Sequence, residues 1–173
     1  FYNCSGLTSV IFASGSQLLT IGNSAFSDCS GLTSITIPAS VTTIGNSAFR
    51  QCAGLTTIAI PASVISIGSG PFLYCIKLTA ISVDPNNQNY ASTDGVLYDE
   101  LIHTLISYPP GKPGSTFTIP NTVRTIDQSA FGSSSLTSIT IPDSVTSIGV
   151  LAFTNCINLA GITIPASVIS IGS

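Results

Sequence analysis

The apolar positions of this chain recur in a fixed order. From Leu32 they fall at Ile35, Ile37, Val41, Ile44, Ala48, Phe49 and Cys52, with Thr, Ser, Asn and Gly between them. The same order restarts at Leu55, Leu78, Leu136 and Leu159. Ile35 and Ile37 alternate with Thr36, a period of two that predicts a short strand with one buried face. Pro38 lacks a backbone donor, so it ends that strand and turns the chain. Val41 to Ile44 predicts a second short extended stretch. Gly22, Gly45, Gly68 and Gly149 follow that stretch, where a turn with positive φ selects glycine, and the longest unit places Asp127 there. Asn46-Ser47-Ala48-Phe49 is expected to make one tight helical or 3-10 turn that drops Phe49 inside.

Leu32, Leu55 and Leu78 are 23 residues apart, and self-similarity at such a period predicts a solenoid. The expected fold is therefore mostly β with short helical turns, in stacked coils of about 23 residues, as a single domain over 1–173. Phe26, Phe49, Phe72, Phe131 and Phe153 occupy one slot of the coil. Cys4, Cys29, Cys52, Cys75 and Cys156 occupy another, three residues after the aromatic, with Ser134 in the remaining unit. Both series predict core ladders. Stacked strands lie about 4.7 to 4.9 Å apart, somewhat wide for the Cβ separation of ~3.8 Å in a disulfide. Two units depart from the period: Leu7 to Leu32 is lengthened at Ala13–Gln17, and the Phe131 to Leu136 corner is shortened.

A longer echo overlies the short one. Pro38 to Ser69 aligns with Pro142 to Ser173, and Ile60 to Ser69 recurs unchanged at Ile164 to Ser173. Phe1 to Cys4 and Val168 to Ser173 both fall in mid-unit, so the chain reads as part of a longer array or as an array whose ends meet another copy.

Charge and composition narrow the chemistry. Charged residues are 6% of the chain and the net charge is -3, which leaves no basic field for a nucleic-acid backbone. Apolar runs fall far short of the ~20 residues of a membrane span, and no leader pattern opens the chain. No Cys-x-x-Cys pair accompanies the single His103, which argues against zinc. Asp84 to Asn89 with Asp94 lacks the Gly and Glu of a helix-loop-helix calcium loop and reads as a turn. His103 has no motif-flanked nucleophile, so no catalytic residue and no cofactor are expected. Asn3-Cys4-Ser5 is a formal glycosylation sequon whose middle residue lies in the core slot.

The pattern Leu-x-x-Ile-x-Ile-Pro-x-x-Val-x-x-Ile-Gly-x-x-Ala-Phe-x-x-Cys, as in Leu32 to Cys52, resembles the BspA-like (Treponema-type) leucine-rich repeat family. Asn89 to Tyr98 and Leu105 to Pro109 resemble the longer variant repeat of such arrays. The resemblance implies a right-handed leucine-rich repeat solenoid. By association it implies an extracellular or cell-surface protein that binds host matrix, other cells or surface molecules, with no catalytic residue.

Two regions are candidates for contact with a partner. The outward positions of the first strand give Ser34, Thr36, Thr57, Ser82, Ser138, Thr140 and Thr163, a flat uncharged stripe without the aromatic or Arg anchors usual in hot spots. The segment 84–117 is a long variant repeat predicted to carry a projecting hairpin, Val96 to Tyr98 against Leu101 to Tyr108. It holds Tyr90, Tyr98, Tyr108 and His103, with five of the eleven charged residues. The expected function is non-enzymatic binding or adhesion towards a protein or cell-surface ligand. The alternative is end-to-end self-association into a filament, through residues such as Phe1, Val168, Ile169 and Ile171.

Overall fold

The computed structural model describes residues 1–172. About seven coils stack into a β-solenoid. The first three coils contribute β1 (Ser9–Val10), β2 (Thr20–Ile21), β3 (Ser34–Ile35), β4 (Thr43–Ile44), β5 (Thr57–Ile60) and β6 (Ser66–Ile67). The long unit contributes β7 (Ala80–Val83), β8 (Tyr90–Thr93), β9 (Val96–Asp99) and β10 (Thr104–Ser107). The last coils contribute β11 (Thr116–Thr118), β12 (Thr125–Ile126), β13 (Ser138–Thr140), β14 (Ser147–Ile148) and β15 (Ser170–Ile171).

Each regular coil supplies two strands, as the alternation of apolar residues predicts, except the last, where the stretch from Leu159 to Ile164 forms none and only β15 appears. The Leu-x-x-Ile strands form a first sheet in parallel pairs, β1 with β3, β5 with β7 and β11 with β13. The Val-x-x-Ile strands form a second, with β2, β4 and β6 in one ladder and β12, β14 and β15 in another. Ile35, Ile58, Ile81 and Ile139 point inward from the first sheet and Ile21, Ile44, Ile126 and Ile148 from the second. A solenoid of this kind closes its core only between neighbouring coils.

The third side of the coil differs from its prediction. No helix is present among the described residues, and Asn46 to Cys52 is a chain of β-turns. Ala48 N–H donates to Gly45 O at 3.3 Å, Arg50 N–H to Ser47 O at 3.0 Å and Cys52 N–H to Phe49 O at 3.1 Å. Left-handed residues interrupt any helical run. They recur in two slots, at Ser24, Ser47, Gly70, Ser129 and Leu151, and at Asn3, Asp28, Gln51, Tyr74, Ser133 and Asn155. Each sits at the third position of its turn, the positive-φ position of a type II turn.

The recurrent glycine is required for a different reason from the one expected. Gly22, Gly45, Gly68 and Gly149 do not adopt positive φ; the residue two places later does. A Cβ on Gly45 would lie 2.5 Å from Asn23 N, and one on Gly149 2.6 Å from Gln128 N. At Gly45, Gly68 and Gly149 the coils approach so closely that only hydrogen fits, whereas a Cβ on Gly22, in the first coil, would meet nothing within 4 Å.

The aromatic slot forms a stack. Phe1, Phe26, Phe49 and Phe72 follow one another with ring centroids 5.3, 5.5 and 5.8 Å apart and nearly parallel planes. Tyr108, Phe131 and Phe153 form a second stack at 5.5 and 5.3 Å, so Tyr108 fills the phenylalanine slot of the long unit. Phe26, Phe49, Phe72 and Phe131 are buried, and Phe153 is half-buried.

The cysteine slot is a ladder of thiol hydrogen bonds. The thiols of Cys29, Cys52, Cys75 and Cys156 donate to the carbonyls of Phe1, Phe26, Phe49 and Phe131 at 3.0 to 3.1 Å. All five cysteines are free. Cys4 keeps the register of the slot but is exposed on the first coil, and Cys156 is half-buried, so the core part of the ladder is Cys29, Cys52 and Cys75.

The long unit does not project. Asp94-Gly95, with φ of 50° and 75°, turns β8 into β9 as a two-residue hairpin of type I′. β9 pairs antiparallel with β10 through a bulge, and β10 joins β12 in parallel to open the second ladder. Val96, Leu97 and Tyr98 are consecutive and all buried, as are Leu105, Ile106 and Ser107. Strands apolar on both faces have no stable place on a surface, and these are drawn inside.

Candidate interaction surface

The outward row of the first sheet is built by strand alternation. Register pairs Ser9 with Ser34, Thr57 with Ala80, Ala59 with Ser82, Thr116 with Ser138 and Thr118 with Thr140. The seven stripe residues Ser34, Thr36, Thr57, Ser82, Ser138, Thr140 and Thr163 are all exposed. The structure gathers five of them in two patches, while Ser34 and Thr57 lie outside both. Thr36, Ala59 and Ser82 share a trough of 430 Å³ rimmed by Pro61, Asp84 and Pro85. Ser138, Thr140 and Thr163 share one of 620 Å³ on the later coils. Between the patches the ladder is interrupted, because β7 and β11 are not paired with each other.

The four aromatic and His candidates of the long unit have other duties. Tyr98 and Tyr108 are 1% and 2% exposed, so both rings pack inside the solenoid. Each completes the apolar faces around it, and burial raises both phenols above the ordinary tyrosine value. Tyr90 is half-buried and its hydroxyl accepts the Ile67 N–H at 2.8 Å. Burial likewise raises its phenol. His103 is half-buried; its backbone N–H and that of Thr104 donate to Asp99 Oδ1 at 2.7 and 2.9 Å, closing the β9–β10 turn.

Residues passed over in the sequence hold this region together. Asn87 is buried, donates through Nδ2 to the carbonyls of Pro61 and Val64, and accepts from the N–H groups of Asn89 and Tyr90. All of its hydrogen-bonding capacity is turned inward. Lys112 reaches Asp94 with Nζ 3.0 Å from Oδ2 and 2.7 Å from the backbone carbonyl. Asn23 and Asn46 lie one residue after the recurrent glycine, and each Oδ1 accepts a backbone N–H of the next coil at 2.8 and 2.9 Å. That recurrence was visible as a shared position. The role of Asn87 had no signal beyond a turn-rich run.

Charge is unevenly placed. Asp84, Asp94, Asp99 and Glu100 against Lys112 account for the whole net charge of -3, while acids and bases balance in the rest of the chain. Outside this unit, Arg50 lies 3.8 Å from Asp28 and packs over the Tyr74 ring at 5.1 Å. Among the described residues no group of three or more His, Cys, Asp and Glu could hold a metal ion. No helix among them is long and apolar enough to cross a membrane.

The chain has clear relatives. A model of the BspA-type leucine-rich repeat region matches residues 1–96 and 112–173 in six copies, leaving out the β9–β10 hairpin. A leucine-rich cell surface protein from Faecalibacterium prausnitzii is 37% identical, with a TM-score of 0.86 over 97% of this chain and 44% of its own. The pneumococcal vaccine antigen PcpA is 26% identical, with a TM-score of 0.77 over 94% of this chain and 52% of its own. A leucine-rich repeat protein from Eubacterium ventriosum is 30% identical, with a TM-score of 0.69 over 96% and 56%. The chain thus spans about half the length of these relatives. No curated protein matches the sequence. Repeat order, stacked coils and these likenesses agree: the chain belongs to the BspA-type leucine-rich repeat family.

Proposed function

We propose that this chain is a non-catalytic binding module of an extracellular or cell-surface protein, and that the outward face of its first sheet receives a protein or surface ligand such as host matrix. The observation that carries the reading is the row of exposed, in-register small residues, part of which lines two open troughs. Small side chains on a rigid ladder let another backbone approach closely, and a preformed face avoids the ordering cost of a mobile one. The naming of one relative as a cell surface protein and another as a vaccine antigen supports the location. The test is surface plasmon resonance of the chain against a panel of purified extracellular-matrix proteins, with a Thr57→Arg, Thr140→Arg double variant beside it. The reading predicts binding that the variant loses by at least tenfold. Equal binding by both proteins would move the site elsewhere.

A second reading, end-to-end stacking of copies, draws on one observation. Ile164 to Ser173 repeats the sequence of Ile60 to Ser69, and that earlier segment has a further coil stacked on it. Light scattering behind size exclusion separates the two, since growth of mass with concentration favours stacking and a constant mass favours the binding module.

A further inference from the structure

The inward side of the long unit divides the molecule. One core runs from Ile21 to Ile81 and a second from Ile119 to Ala152. The hairpin belongs to both. From β9, Leu97 enters the first core while Val96 and Tyr98 enter the second; from β10, Ile106 enters the first and Leu105 the second. Alternation along a strand sends neighbouring side chains to opposite faces, so a strand between two cores serves each with every other residue.

Hydrogen bonds fasten this wall on both sides. Towards the first block, Ile81 N–H donates to Gly95 O at 2.9 Å, Val83 N–H to Ser92 Oγ at 3.0 Å and Gly111 N–H to Leu78 O at 2.9 Å. Towards the second, Tyr108 N–H donates to Ala130 O at 2.7 Å, and β10 pairs with β12. No strand of the first block pairs with one of the second. Apart from the corner where Gly70 and Leu73 lie against Ser129 and Gly132, the wall is what joins them among the described residues.

We infer that this hairpin is a two-sided septum that couples the blocks into one cooperative unit, so that opening one opens the other. A regular array passes stability from coil to coil through like interfaces, and an insertion would ordinarily break that relay. Here the insertion carries the relay, because it presents an apolar face and a hydrogen-bonding edge to each side. Both troughs of the first sheet are therefore held in one fixed relation, and a ligand bound at either protects the whole chain.

Native-state hydrogen exchange read by mass spectrometry tests the coupling. Phe49→Leu weakens the first block without touching the second. The expected result is that amides of 139–148 lose protection by the same factor, about tenfold, as the most protected amides of the first block; unchanged exchange at 139–148 would overturn the inference. Should Phe49→Leu fail to fold, Val145→Ala makes the reciprocal measurement at 44–60, with the same two outcomes. Adding Leu97→Ala to either variant loosens the septum, and the effect on the distant block is then expected to shrink. Persistence of the full effect would place the coupling at the Leu73–Gly132 corner and overturn the role of the hairpin.

Discussion

Cys52 shows how one residue type is matched to its slot. Its side chain is fully buried, and its thiol donates to the Phe26 carbonyl at 3.1 Å. Burial pushes its ionisation up to about 12 and that of Cys75 higher still; Cys29 is also raised, again chiefly by burial. A thiol kept neutral does not react readily. Native protein titrated with a thiol-specific disulfide reagent should label Cys4 quickly and Cys156 slowly, with Cys29, Cys52 and Cys75 labelled only on unfolding. These groups also set an alkaline limit. The folded state holds the Cys52 proton up to about pH 12, while the unfolded chain releases it near 9.0. The contribution to stability is full below pH 9.0 and is lost as pH climbs towards 12. Urea midpoints measured from pH 7 to 11 should be flat at first and then fall.

A serine pair makes a second comparison at this scale. The Ser63 hydroxyl donates to Val41 O at 2.6 Å, and Ser167 to Val145 O at 2.8 Å. The hydroxyl of Ser144, in the same position before its valine, is buried without a partner. Removing a satisfied hydroxyl costs about 1 kcal/mol, while removing an unsatisfied one relieves a penalty. Ser63→Ala should lower the thermal midpoint and Ser144→Ala leave it equal or higher. The opposite order would mean that the Ser144 hydroxyl has a partner in solution.

At the scale of the element, the regular strands were legible and the turns were not. Ile35-Thr36-Ile37-Pro38 specifies a half-buried strand and its end with three independent signals: alternation, β-branching and a missing donor. The turn side carries Ser47 at φ 54° and Gln51 at φ 60°, residue types that do not announce a left-handed backbone. Gly45 announced one and lacks it, because close approach of coils and positive φ select the same residue. The long unit was misjudged for a related reason. Its continuous apolar runs fit a strand buried on both sides, whereas the charges around them suggested an exposed edge. Asp94-Gly95 between two alternating runs was the available hairpin signal. Gly95 has φ of 75°, and a Cβ there would meet Ala80 Cβ at 3.0 Å. Gly95→Ala should therefore destabilise the chain by about 1 to 2 kcal/mol, read as a shift in the urea midpoint; an unchanged midpoint would show that the turn is not tightly held against β7.

The whole molecule is a periodic face whose first sheet falls into three two-stranded pairs, with the long unit set between the second and the third. The period told which residues share a row, so the exposed stripe could be drawn before the fold was known, and the structure divides that stripe at the septum. Of the tyrosines in the long unit, Tyr98 and Tyr108 proved to be filling, since an aromatic side chain serves a core as well as an interface. What remains exposed and in register is the small-residue face of the first sheet. Three single substitutions measure its role most directly, each placing Arg on a different side: Thr57→Arg on the first sheet, Thr42→Arg on the second and Gln51→Arg on the turn side. Binding to the matrix protein that the unaltered chain captures best, measured by surface plasmon resonance, should fall at least tenfold for Thr57→Arg and stay within twofold for the other two. Loss confined to Thr42→Arg or Gln51→Arg would contradict the assignment of the first sheet as the binding face.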